Sequence, residues 1–190
     1  MKQLLLASNN KFKLKEFKEI FKPYEIEILS PKDLDIVFDA NETGKTYYQN
    51  ALIKAKELRK YSNLDIISDD SGIEIEALGK NFPGINSHRY MLSMGGQEKT
   101  NMFLAKNYFG TKAKFVCTIV LLKDNKVFKF KGQISGIIND KVKEDPFGYD
   151  PIFKIKKYNK TFAELDSKTK NTISHRYRAS IKLINFLKNN

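Results

Sequence analysis

Two carboxylates stand side by side in the run Ser68-Asp69-Asp70-Ser71-Gly72, and the residues around them leave few folds open. Ile66 and Ile67 lead in as a short apolar run, and Ile73, Glu74, Ile75 and Glu76 alternate apolar with acidic as a strand does. The stretch reads as strand, sharp break and strand, with the acids at the break. Carboxylates at a strand end beside a glycine sit where backbone can approach a ligand closely, and hard oxygen ligands there suit a magnesium ion carrying phosphates. Neighbours along an extended segment point to opposite faces, so Asp69 and Asp70 are not expected to reach one metal in the same way.

Strand and helix alternate ahead of this stretch. Gln3 to Ala7 reads as a buried strand, Ser8-Asn9-Asn10-Lys11 breaks it, and Phe12, Leu14, Phe17, Ile20 and Phe21 repeat at helical spacing. Lys13, Lys15, Glu16, Lys18 and Glu19 fill the polar side of that helix. A strand, a polar turn and a helix put backbone N–H groups at a helix N-terminus, a phosphate seat that Lys11 and Lys13 would reinforce. The plainer reading is that Ser and Asn merely cap the helix. Glu25 to Leu29 reads as a second strand and Thr46 to Tyr61 as a helix with Ala51, Leu52, Ala55 and Leu58 on one face. Glu42 then stands just ahead of a helix start, where an isolated glutamate would ordinarily serve the dipole.

Beyond the acids, Gly95-Gly96 marks a break, Gln97 to Phe109 a helix ending at Gly110, and Lys114 to Lys123 with Lys126 to Ser135 a hairpin turned at Asp124-Asn125. The loop Asp145-Pro146-Phe147-Gly148-Tyr149-Asp150-Pro151-Ile152-Phe153 is stiff, and its aromatics either hold a planar base or plug the end of a core. Ser174-His175-Arg176 opens a last helix whose stripe is Tyr177, Ile181, Ile184 and Leu187. His175 and Arg176 fall in its first turn, facing either the surface or an anion or base.

Composition excludes several classes. With 41% hydrophobic and 29% charged residues over 190 positions, the chain is neither a disordered tail nor a membrane protein, and its length fits one domain. One cysteine, Cys117, excludes a disulfide framework, and with two histidines it cannot build a Cys/His zinc cluster, so a metal would be held by oxygen. The Leu4 to Ala7 run is too short for a signal-peptide core or a membrane span, so a cytoplasmic location is expected. A net charge of +12 points to an anionic partner, though scattered lysines equally make a solvated surface.

Six motifs in order, Ser8-Asn9-Asn10 with Lys11 and Lys13, Glu42-Thr43-Gly44, Ser68-Asp69-Asp70-Ser71-Gly72, Pro83-Gly84-Ile85 through Arg89-Tyr90, Phe147-Gly148-Tyr149-Asp150-Pro151 and Ser174-His175-Arg176, resemble the inosine/xanthosine triphosphate pyrophosphatase family. Singly each is weak; together they are specific and run nearly end to end. Asn9, Pro146 and His88 depart from the commoner residues of that pattern, and none removes a proposed catalytic group.

The resemblance implies an α/β fold over residues 1–190, two lobes around a long mixed twisted sheet with a central active-site cleft, usually as a homodimer. It implies Mg²⁺-dependent hydrolysis of ITP, dITP and XTP at the α–β bond, giving a monophosphate and pyrophosphate and clearing deaminated purines from the nucleotide pool. Ser8, Asn9, Asn10, Lys11, Phe12 and Lys13 would cradle the triphosphate, with Ser71 on phosphate. Glu42 and Asp70 would hold Mg²⁺, and Asp70 would activate water, with Asp69 the backup. Phe147 would stack on the base, with Gly148 and Tyr149 in the same loop, while Asp150, Lys170, His175 and Arg176 supply polar contacts. A donor aimed at the 6-oxo group is left facing an NH₂ in adenine, which discriminates strongly against ATP. Two rivals are a Maf-like pyrophosphatase, expected to prefer pyrimidine triphosphates, and a nucleic-acid binder motivated by the charge and fourteen phenylalanines. A binder gives no reason for acids at Glu42, Asp69 and Asp70, and neither a stable nucleic-acid complex nor membrane attachment is expected.

Overall fold

The structure, a computed structural model, describes residues 2–140 and 147–189. In chain order its strands are β1 (Lys2–Leu6), β2 (Ile26–Leu29), β3 (Ile66–Ile75), β4 (Lys112–Lys123), β5 (Lys126–Ile138), β6 (Phe153–Ile155) and β7 (Lys160–Thr161). The helices are α1 (Lys11–Phe21), α2 (Tyr47–Arg59), α3 (Ser87–Ser93), α4 (Gln97–Tyr108), α5 (Ser167–Ile173) and α6 (His175–Lys188). Among the described residues the strands form one mixed sheet in the order β2-β1-β3-β4-β5-β6-β7. β1 runs parallel to both β2 and β3, whereas β5, β6 and β7 pair antiparallel. The expected α/β class holds, and the short β6, β7, α3 and α5 are additions that periodicity does not reveal.

By compactness the chain divides into a first unit, Met1–Asp70 with Cys117–Gly132 and Arg176–Asn190, and a second, Ser71–Val116 with Gln133–His175. Within the first unit β1 is buried on both faces. Leu4 and Leu6 pack with Phe17, Ile20 and Phe21 of α1 and with Ala179, Leu183 and Ile184 of α6. Leu5 and Ala7 pack with Ala51, Ala55 and Leu58 of α2. Helices on both faces of parallel strands explain why Leu4 to Ala7 is a continuous apolar run rather than an alternation. The second unit has one core, in which Ile73 and Ile75 of β3 meet Leu104, Phe115, Ile134, Phe153 and Phe162.

Local chemistry starts the elements where the sequence places them. Asn10 caps α1, its side chain accepting from the N–H groups of Phe12 and Lys13, and Thr46 caps α2 through Gln49 N–H. Asp124 and Asn125 both take positive φ, 49° and 58°, so the β4–β5 turn has the primed geometry that suits a two-residue hairpin without needing glycine.

The expected break between two strands at Gly72 is absent: Ile66 to Ile75 is a single strand of 10 residues. Gly72 stays in ordinary extended backbone, and its missing side chain serves the protein itself. A Cβ there would collide with the Gly84 carbonyl oxygen and crowd Ser87 Oγ. That hydroxyl also accepts from Ile73 N–H at 2.9 Å and donates to the Gly84 carbonyl at 2.6 Å, so the neighbours are tied down. Gly72→Ala is accordingly expected to destabilise by about 1–3 kcal/mol through overpacking, measured as a lower thermal midpoint. An unchanged midpoint would mean that the Gly84 turn gives way freely.

Candidate active site

In the first unit the side chains of Asp69 and Asp70 diverge as adjacent strand residues must, and each meets a different set of cations. Asp69 Oδ1 accepts from Lys13 Nζ at 3.0 Å, and its Oδ2 pairs with Arg176 Nη2 at 3.2 Å. Arg176, only 1% exposed, also binds Glu16 of α1, and its guanidinium lies 5.7 Å from the Phe17 ring centre. Lys13, Asp69, Arg176 and Glu16 thus form a chain of alternating charge, buried except at its half-buried Lys13 end. Burial pushes the Asp69 carboxyl up, but Lys13, Arg176 and Lys54 outweigh it and hold its pKa well below the ordinary carboxylate range. Cys117, fully buried with Sγ 3.9 Å from Asp69 Oδ2, is driven the other way by burial and by the Asp69 charge and stays a neutral thiol.

Asp70 faces α2. Its Oδ2 accepts from Asn50 Nδ2 at 3.1 Å, and Oδ1 lies 3.9 Å from Lys54 Nζ, which also binds Glu42 Oε1 at 3.1 Å. Burial raises the Asp70 pKa above the ordinary value; Lys54 and Lys13 oppose the rise, Glu42 adds to it, and the Asn50 hydrogen bond opposes it. Two adjacent aspartates therefore have opposite acid–base character: Asp69 is a weak base locked in ion pairs, and Asp70 a stronger one. Glu42 and Asp70 gather hard carboxylate oxygens around one ammonium. That donor chemistry fits Mg²⁺, which takes one or two protein carboxylates and completes its shell with water and phosphate oxygens.

The turn before α1 is held by several hydrogen bonds of its own. Asn10 Oδ1 takes the N–H groups of Phe12 and Lys13, Ser8 Oγ takes Asn10 N–H, and Asn9 Nδ2 donates to the Phe38 carbonyl at 2.7 Å. Asn10 is thus the N-cap of α1, while Lys11 and Phe12 are exposed and Lys13 is half-buried.

The second unit collects the other candidates. Lys170 of α5 binds Asp150, and its Nζ stands 4.8 Å from the Phe147 ring centre, so a cation and a carboxylate sit beside an aromatic face. Gly148 takes a left-handed φ of 61° between them, and Tyr149 donates its hydroxyl to the Ser87 carbonyl at 2.6 Å. His175, 4% exposed, stacks on Phe115 at 4.7 Å between centres. Ser71 is half-buried on β3. Pro146 lies outside the described residues. Arg176, expected beside the base with His175, is committed in the first unit to Glu16 and Asp69.

Sequence reasoning passes over Glu16, Asn50 and Lys54. Helical spacing puts Glu16 on the polar side of α1, yet it is 9% exposed because Arg176 draws it inward. Lys54 carries a readable signal: with Ala51, Ala55 and Leu58 it falls on the apolar stripe of α2, where a lysine needs an acidic partner.

Comparison with known proteins agrees with this picture. A model of the Ham1 family matches residues 4–186. The chain is 41% identical to the dITP/XTP pyrophosphatase of Clostridium perfringens, over 99% of this chain and 98% of that one. It also superposes on a HAM1 protein from Coxiella burnetii with TM-score 0.85 and 33% identity, over 100% of both chains. The Staphylococcus aureus Ham1 protein gives TM-score 0.79 and 38% identity, over 99% of each chain. Motifs, architecture and relatives converge: the chain belongs to the Ham1 family.

Proposed function

We propose that this protein hydrolyses dITP, XTP and ITP to the nucleoside monophosphate and pyrophosphate, with Mg²⁺, as a cytoplasmic homodimer. The observation that carries the reading is the divergence of the two aspartates: Asp69 is paired with Lys13 and Arg176, whereas Asp70, its basicity raised by burial, faces Asn50 and the Lys54 ammonium that also binds Glu42. In this reading Asp70 accepts the proton of the attacking water, because its higher pKa makes it the better base. Asn50 orients that carboxylate through its amide, and Lys54 holds Glu42 and Asp70 toward each other. Lys13 turns its ammonium to the phosphates while Asp69 sets its position. Glu42 and Asp70 would hold Mg²⁺, which when bound neutralises phosphate charge and acidifies a bound water. For the purine, Phe147 supplies a stacking face and Lys170 and Asp150 the polar contacts.

The test is pyrophosphate release with Mg²⁺ from ITP, dITP and XTP beside ATP, GTP, CTP and UTP at equal concentrations. Selective release from the first three, without free orthophosphate, is the expected result. Preference for pyrimidine triphosphates would overturn the base assignment, and absence of turnover would overturn the activity.

A further inference from the structure

We infer that Gln97 and Asn101 of α4 are positioning residues that set the Phe147-Gly148-Tyr149-Asp150 turn in place for the purine, an inference that rests on the function proposed above. Gly148 has no side chain with which to pack, so the direction in which Phe147 and Asp150 are presented depends on what holds its backbone. Both of its backbone polar groups are held by one helix. Gln97 Oε1 accepts from Gly148 N–H at 2.7 Å, and Asn101 Nδ2 donates to the Gly148 carbonyl at 2.9 Å. Gln97 is the first residue of α4 and Asn101 lies four residues on, so the two amides share one helix face.

The surroundings fit an anchor rather than a chance contact. Asn101 is 1% exposed, and its donor is spent on the turn. Gly95 and Gly96, at φ 88° and 104°, lead into α4 through left-handed backbone, with Gly96 as its N-cap. The Tyr149 hydroxyl on Ser87 makes a third tie, and Asp150 N–H closes the turn on the Phe147 carbonyl at 3.2 Å. With Gly148 held, Asp150 and Phe147 keep their common relation to Lys170. Releasing one tie makes the turn sample other orientations before the base arrives, and that ordering cost is charged to binding.

Gln97→Leu keeps the bulk of the side chain and removes the acceptor; Gln97→Glu keeps the acceptor and adds a charge that the N-terminus of α4 tolerates. For Gln97→Leu the KM for dITP is expected to rise about 3- to 10-fold, the worth of one such hydrogen bond, with kcat within about twofold. Gln97→Glu is expected to return KM to within about twofold of the parent protein. A merely structural role would lower the amount of active enzyme, and so kcat, without moving KM. Unchanged KM in Gln97→Leu, a loss confined to kcat, or impairment of Gln97→Glu as deep as that of Gln97→Leu would each overturn the inference. Should the parent protein fail to turn over dITP, the proposed function falls, and the anchor is then judged by hydrogen exchange at the Gly148 amide. Faster exchange in Gln97→Leu supports it, and equal protection overturns it.

Discussion

Replacing Asp70 with asparagine is expected to lower kcat for pyrophosphate release from dITP by roughly 10²- to 10⁴-fold, the range for loss of a positioned general base. The fold should not suffer. Because folding raises the Asp70 pKa, the folded chain binds more protons at this site than the unfolded chain, and stability falls as pH rises through the interval between the two pKa values. The cost is borne above that interval, and asparagine removes it while keeping an oxygen for the Asn50 amide. The thermal midpoint of Asp70→Asn, measured at pH 7 with a chelator present, should equal or exceed that of the parent protein. A loss of activity accompanied by no loss of stability marks a group kept for chemistry. Near-normal turnover would move the base elsewhere, with Asp69 next in line despite its depressed pKa.

Arg176→Met is expected to do the opposite and act first on stability. The guanidinium is fully buried between Glu16 and Asp69, so its removal leaves two carboxylates in the interior that have lost a cationic partner. Breaking a buried pair from one side costs about 3–5 kcal/mol, because the remaining charge stays desolvated. For a chain of this length that corresponds to a fall of about 10 °C in the thermal midpoint. The two carboxylates, each short of one cation, should then have higher pKa values than in the parent protein, so the deficit is expected to shrink as pH is lowered. Adding Glu16→Gln should return part of the stability by removing one of the two charges. A midpoint within about 2 °C of the parent protein would show that Lys13 alone satisfies Asp69 and that Glu16 reaches water.

These two residues show how differently the parts of the site are legible. Asp70 is legible because its signal is local. It lies in a run of apolar and acidic residues whose strand character follows from a period of two, and the divergence of Asp69 from Asp70 follows from the same geometry. Helices α1, α2 and α6 are legible through apolar residues at helical spacing, α4 through the glycines that bound it, and the β4–β5 hairpin through two long β-rich runs with two turn-forming residues between them. The break expected at Gly72 is an error of the same local kind. Glycine permits a bend but does not impose one, and only the approach of the Gly84 carbonyl shows why a side chain is unwelcome there.

Arg176 is legible as a motif member and not in its contacts, since its partner Glu16 lies 160 residues away. The same limit applies to Asn101 with Gly148 and to Lys54 with Glu42. Period and spacing decide which face of an element a residue occupies, because backbone geometry is the same in every protein. Which two faces meet is decided by the topology of the sheet and the packing of helices on it, and that is a property of the whole chain. The principal elements therefore follow from residue order alone, and the α/β class and the family follow from the motifs that resemble it. That Asp69 is neutralised and Asp70 made basic comes only with folding, because a carboxylate's pKa depends on burial and on charges brought near it from distant parts of the chain.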